Sequence, residues 1–142
     1  MLIRNNGNFV EILLVERIPE TLPAAGDLHL HVRVACETFC GENDGVWVEA
    51  TAFQDFLSEL QVLEKWRLGS ATLASISPGE LRLQIQETDR TGHIGVTGQL
   101  GRWCYTGGSG MSWCQVTFDF PLSCPSLLPQ ILAEFRAMTE SG

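Results

Sequence analysis

Leu28-His29-Leu30-His31-Val32-Arg33-Val34 decides the fold class. Leu28, Leu30, Val32 and Val34 share one face, and His29, His31 and Arg33 share the other. Strict period-two alternation belongs to a half-buried β-strand, because successive side chains on an extended chain point to opposite sides. Outward from it, Glu42-Asn43-Asp44-Gly45 reads as a hairpin turn, since Asn, Asp and Gly tolerate positive φ. Val46 to Glu49 reads as the returning strand, so a β-hairpin is expected around residues 30–49. Upstream, Phe9 to Ile18 (FVEILLVERI) is a β-rich run between Asn5-Asn6-Gly7 and Pro19.

Further strands are expected at Ala71–Ile76, at Leu81/Leu83/Ile85, at Ile94/Val96/Leu100, and at Cys114/Val116/Phe118/Phe120. Each of the last three alternates apolar with polar residues. The connections are short, which favours an antiparallel meander over parallel crossovers.

Thr51-Ala52-Phe53-Gln54 has the form of a capping box. Phe53, Phe56, Leu57, Leu60 and Leu63 follow at helical spacing, with Trp66 as the outer limit of the stripe. Lys65 and Arg67 complement the dipole at the far end, and Gly69 can end the helix. A second helix spans about Pro125 to Met138, with Leu128, Ile131, Leu132, Phe135 and Met138 as its stripe. Proline fits only a first turn, so Pro125 and Pro129 leave its start open. No internal repeat is visible. The expectation is one α+β domain over residues 1–142: an antiparallel, meander-like sheet of about six strands packed on one face against two amphipathic α-helices. The other face, rich in Arg, Gln, Thr and His, is left wet or open to a partner.

The 142 residues carry 9 Lys and Arg against 17 Asp and Glu, a formal charge of −8. Nucleic-acid binders need clustered cations to replace phosphate counterions, and anionic membranes need the same. No cationic run exists, so neither nucleic acid nor membrane is expected as a partner. The acidic balance suits solubility or a basic partner. The five cysteines, an odd number, and the lack of a secretion-signal pattern at residues 1–15 lead to an expectation of reduced thiols and a cytoplasmic location.

Cys36 and Cys40 could contribute to a zinc site only if His29 and His31, or Cys104 and Cys114, completed the four ligands. The two cysteines read more simply as small apolar residues. Cys104 or Cys114 could act as a nucleophile only with a base such as His93 beside it. His93 reads more simply as closing the Thr91-Gly92 turn. Asp55 and Glu59, extended by Glu64, lie on the polar side of the first helix, where paired carboxylates lack the enclosed cleft that acid–base chemistry requires. Their simplest role is a solvated face. No catalytic residue, cofactor or metal is therefore assigned. Trp47 and Trp113 lie opposite the apolar positions of their strands, and exposed tryptophan anchors interfaces. Together with Asp55 and Glu59 they are the candidate partner-binding residues.

The order Val46-Trp47-Val48-Glu49-Ala50, F-x-x-F-L-x-x-L (Phe53 to Leu60), E-L-R-L-Q-I (Glu80 to Ile85), D-R-T-G-H-I (Asp89 to Ile94) and a leucine-led terminal helix resembles the WapI-type immunity proteins and related small bacterial proteins. The similarity runs from about Leu28 to Met138. It departs in the insertion Gly107-Gly108-Ser109-Gly110 and in the cysteines. The resemblance implies a non-catalytic role, binding and neutralising a basic toxin domain. Two alternatives stand beside it: a small-molecule or enzymatic site in a pocket between helices and sheet, and self-association of a structural domain, as a homodimer, through the open sheet face or an edge strand.

Overall fold

The computed structural model describes residues 1–105, 107–108 and 110–140. Strand alternation builds two antiparallel sheets rather than one. In the first, β1 (Leu2–Asn5), β2 (Asn8–Arg17), β3 (Leu28–Cys36) and β4 (Phe39–Val48) lie side by side in chain order. Helix α1 (Ala50–Trp66) follows. The second sheet repeats the order with β5 (Ser70–Ala74), β6 (Leu81–Glu87), β7 (Ile94–Tyr105) and β8 (Met111–Pro121). A 3-10 turn (Pro125–Leu127) then leads into α2 (Leu128–Glu140).

The expected α+β class and antiparallel pairing hold, but eight strands in two sheets replace about six in one. Two features account for the difference. β1 is only four residues long with one buried side chain, Ile3, too short to display a period. Also, α1 fills the chain between Val48 and Ser70, so β5 pairs with β6 and starts a new sheet.

The expected turn at Glu42–Gly45 is a correction of a different kind. The chain reverses earlier, at Glu37 and Thr38, with Glu37 in the left-handed region at φ 60°. Asn43-Asp44-Gly45 lies inside β4. There Val32 faces Asn43 and Leu30 faces Val46, which leaves one extra residue on β4. This is a β-bulge, and turn-forming residues suit a bulge as well as a turn because both need unusual backbone angles. The Asn43 Oδ1 accepts a 2.9 Å bond from the Gly45 amide and holds the bulge.

The expected capping box is not formed. The N-cap of α1 is Glu49, with no side-chain cap of its own. Asp27, from the loop before β3, accepts the Ala50 amide at 2.9 Å instead. At the other end Arg67 takes the left-handed conformation (φ 57°), two residues before Gly69, and its amide donates to the Leu63 carbonyl. Trp66 lies outside the buried stripe and is 62% exposed. In the second helix Pro125 opens the 3-10 turn and Pro129 sits in the first turn of α2, as an imino residue must.

The expected stripes of both helices are buried. They share one spacing: 53, 56, 57, 60, 63 and 128, 131, 132, 135, 138, an offset of 75 throughout. Four strands and a helix therefore occur twice, a repeat that no sequence identity advertises. The halves meet where β3 and β4 approach β7 and β8. At that crossing a Cβ on Gly41 would stand 3.0 Å from Val116 Cγ2, so glycine permits the close approach. Asn43, only 6% exposed, donates Nδ2 to the Gly101 carbonyl at 2.9 Å and ties one sheet to the other.

The inner faces of both sheets and both helical stripes form one continuous core. Phe135 of α2 meets Phe56 edge-on at 4.9 Å and Phe53 at 6.1 Å. Helix α1 also lies along β5, the edge strand of the other half, and Glu59 Oε1 accepts the Thr72 amide there at 3.3 Å. Covering an edge amide this way removes a site for unwanted strand pairing.

Candidate functional site

β7 and β8 run past the core and form a projecting hairpin. Beyond Leu100 and Val116, no described side chain of this hairpin belongs to the buried core. The register pairs Trp103 with Trp113 and Tyr105 with Met111 on the outward face. The two indoles meet edge-to-face, with centroids 5.4 Å apart at 72°. Trp103, Tyr105 and Met111 are 56%, 75% and 60% exposed. Trp113 is half-buried, but aromatic side chains normally bury more carbon than Trp103 and Tyr105 do, an unusual arrangement for a chain that has a filled core elsewhere.

The cluster is built and held in place. A Cβ on Gly101 would collide with Trp113 Cζ2 and stand 2.9 Å from the Gly79 carbonyl. Glycine at 101 therefore lets the Trp113 ring lie across β7, with Gly79 beneath it. The Trp113 Nε1 donates to Gln115 Oε1 at 2.8 Å, which fixes the ring's orientation. The Tyr105 hydroxyl donates to the Gly108 carbonyl at 2.7 Å and braces the end of the hairpin. Ser109, in the glycine-rich insertion, lies outside the described residues.

The four candidate partner-binding residues do not form one site. Trp113 belongs to this cluster. Trp47 lies on the outer face of the first sheet and stacks on His29 at 4.7 Å and 14°. Asp55 and Glu59 are exposed on α1, and among the described residues Glu59 accepts a hydrogen bond from the Thr72 amide. Trp103, Tyr105 and Met111 were not among the candidates, because the expected strand ends at Leu100, one residue before Gly101. Continuing the alternation through it would have placed Trp103 and Tyr105 opposite Arg102 and Cys104.

Charge is organised on the outer face of the first sheet. Arg33 lies between Glu11 (3.4 Å) and Glu42 (3.6 Å). His31 Nε2 is 3.3 Å from Glu42, a charge contact without hydrogen-bond geometry. His29 is 3.7 Å from Glu16 and shares a 2.7 Å hydrogen bond with the Asp44 carbonyl. The Arg33 guanidinium offsets the two carboxylates beside it. The Asp55 and Glu64 carboxylates make no ion pair among the described residues.

The side chains weighed for chemistry are dispersed. Cys36 pairs with Phe39 and Cys40 with Ala35, which sends the two thiols to opposite faces of the sheet. Among the described residues, no three His, Cys, Asp or Glu side chains converge to hold a metal. His93 immediately precedes β7, and Cys104 lies at its far end, about 35 Å away at roughly 3.3 Å per residue. His93 closes its turn as expected: Nδ1 is 2.7 Å from Asp89 Oδ2 and 2.8 Å from Thr91 Oγ1. Both contacts fall on the same ring nitrogen, whereas a relay needs carboxylate and nucleophile on opposite nitrogens. The Thr91 hydroxyl first, and then the His93 ring, hold the exposed Asp89 carboxyl well below the usual carboxylate range.

Between helices and sheets the space is filled by side chains such as Phe53, Phe56 and Phe135, each at most 1% exposed. Surface hollows do occur. One of about 420 Å³ follows residues Leu14 to Glu20, and one of about 320 Å³ lies beneath the projecting hairpin. Among the described residues, no helix is long and apolar enough to cross a membrane. Comparison of the chain with protein-family models, with curated proteins and with solved structures gives no match.

Proposed function

We propose that this chain is a non-catalytic protein-binding module and that the outward face of the β7–β8 hairpin is its contact surface. The observation that carries the reading is the exposed Trp103, braced edge-on by the half-buried Trp113 and flanked by the exposed Tyr105 and Met111, on a hairpin beyond the core. Rigid, exposed aromatic rings supply large contact area at small entropic cost, which is why they dominate binding energy at interfaces. The formal charge of −8 favours a basic partner, with long-range attraction raising the encounter rate. In its specific form, following the resemblance to immunity proteins, the partner is a basic bacterial toxin domain and binding neutralises it in the cytoplasm.

The test is calorimetric titration against any toxin domain that the neighbouring genes encode, at low and at high salt. Binding that weakens with salt, and weakens roughly 30-fold or more in Trp103→Ala at about 2 kcal/mol per anchor, supports the reading. Absence of binding at low salt, or equal binding by the Trp103→Ala, Trp113→Ala double variant, overturns it.

A further inference from the structure

The inward face of the same hairpin carries two thiols on neighbouring strands. Cys104 faces Ser112 across the ladder, and Cys114 faces Arg102. The two cysteines are therefore diagonal neighbours, two residues out of register and on the same face. Both are free thiols, and both line the hollow of about 320 Å³ beneath the hairpin. Neither belongs to the core. The neighbouring Cys104 thiol is the largest influence raising the Cys114 thiol above its ordinary range, and the Cys104 thiol itself is directed at the Arg102 carbonyl at 3.9 Å.

We propose that Cys104 and Cys114 form a reversible intramolecular disulfide site, oxidised by a low-molecular-weight disulfide such as oxidised glutathione. The Cys104 thiolate attacks one sulfur of the oxidant, forms a mixed disulfide and releases one glutathione thiolate. The Cys114 thiol then loses its proton and attacks the Cys104 sulfur. The Cys104–Cys114 bond forms and the second glutathione leaves. Two protein thiols give up two electrons and two protons, and the oxidant is reduced to two thiols. Order of attack follows from this neighbour effect, since the thiol held protonated is the poorer first nucleophile.

Geometry sets the reversibility. Diagonal neighbours on paired strands have Cα atoms about 7–8 Å apart. An unstrained disulfide needs roughly 4.4–6.8 Å. Closing the bond draws the strands together near their free end, where Gly107 and Gly108 adopt positive φ and can absorb the change. A strained, accessible disulfide is readily reduced and suits a switch better than a staple. Its position has a consequence for the outer face. Cys104 follows Trp103 and Cys114 follows Trp113, so the bond would form directly behind the paired indoles.

The experiment equilibrates the full chain with reduced and oxidised glutathione at increasing ratio, then traps free thiols and maps non-reduced peptides by mass. The expected result is loss of two of the five free thiols, a peptide linking Cys104 to Cys114, monomeric protein, altered tryptophan fluorescence, and full return on reduction. Cys40→Ser should leave the linkage intact, and Cys114→Ala should abolish it. Because the linkage is mapped in the unmodified chain, a variant that misfolds does not blunt the test. Linkage through Cys36, Cys40 or Cys124, linkage only between molecules, or five free thiols throughout would each overturn the proposal.

Discussion

Asn43 makes two bonds in opposite directions, one holding its own bulge and one reaching the Gly101 carbonyl of the other sheet. Removing it takes this partner from the buried Gly101 carbonyl and from the Gly45 amide, and an unsatisfied buried group costs about 1–3 kcal/mol. Asn43→Ala is therefore expected to lower stability by about 2 kcal/mol in urea unfolding. Gly98 is a sharper case. Its φ is 155°, and a Cβ there would collide with the Arg82 carbonyl and approach Phe118 Cζ at 2.9 Å. Overpacking against backbone cannot be relieved by turning a rotamer, so Gly98→Ala should cost about 2–3 kcal/mol in the same measurement. Asp89 gives a pH dependence. Its carboxyl is held below the ordinary value of 3.8 in the folded chain, so the folded state favours the ionised form. The resulting stability is present above the unfolded value and is lost as pH falls through the folded one. Asp89→Asn should flatten the acid side of the stability curve below about pH 4 and leave its neutral side unchanged in shape. A curve with an unaltered acid limb would show that the turn contributes nothing.

At the scale of elements, the cap of α1 separates local from distant information. The local pattern pointed to Thr51, but the bond to Ala50 comes from Asp27, 23 residues earlier. Asp27→Ala should destabilise the protein by about 1 kcal/mol, whereas Thr51→Ala should be nearly neutral, as measured by thermal unfolding. The reverse order would restore the capping box. The helical stripes and the strand faces were legible because each depends only on a residue's neighbours along the chain. Strand limits were less legible: Gly101 looks like an interruption until its neighbour Trp113 is seen to need the space above it. The candidate surface was half readable for the same reason. Trp113 stood out, while Trp103, Tyr105 and Met111 became a cluster only through cross-strand register.

Across the whole molecule, two four-strand-and-helix halves share one core, and Phe135 of the second half closes on Phe53 and Phe56 of the first. Phe135→Ala should cost about 3–5 kcal/mol. Because the core is common, the loss should move a single cooperative transition, with tryptophan fluorescence and far-UV circular dichroism changing together. Separate transitions for the two probes would mean that the halves fold independently. The amino-acid sequence by itself determined the class of this protein: antiparallel strands, two amphipathic helices, their buried faces and an acidic surface, all set by periodicity and composition. Tertiary structure alone decided that the strands divide into two sheets, that a turn-like stretch is a bulge bridging them, and that Trp103, Tyr105 and Met111 are brought together, exposed, around the half-buried Trp113 on one hairpin. Those outcomes depend on pairing between residues far apart in the chain, and periodicity carries no record of which strand lies beside which.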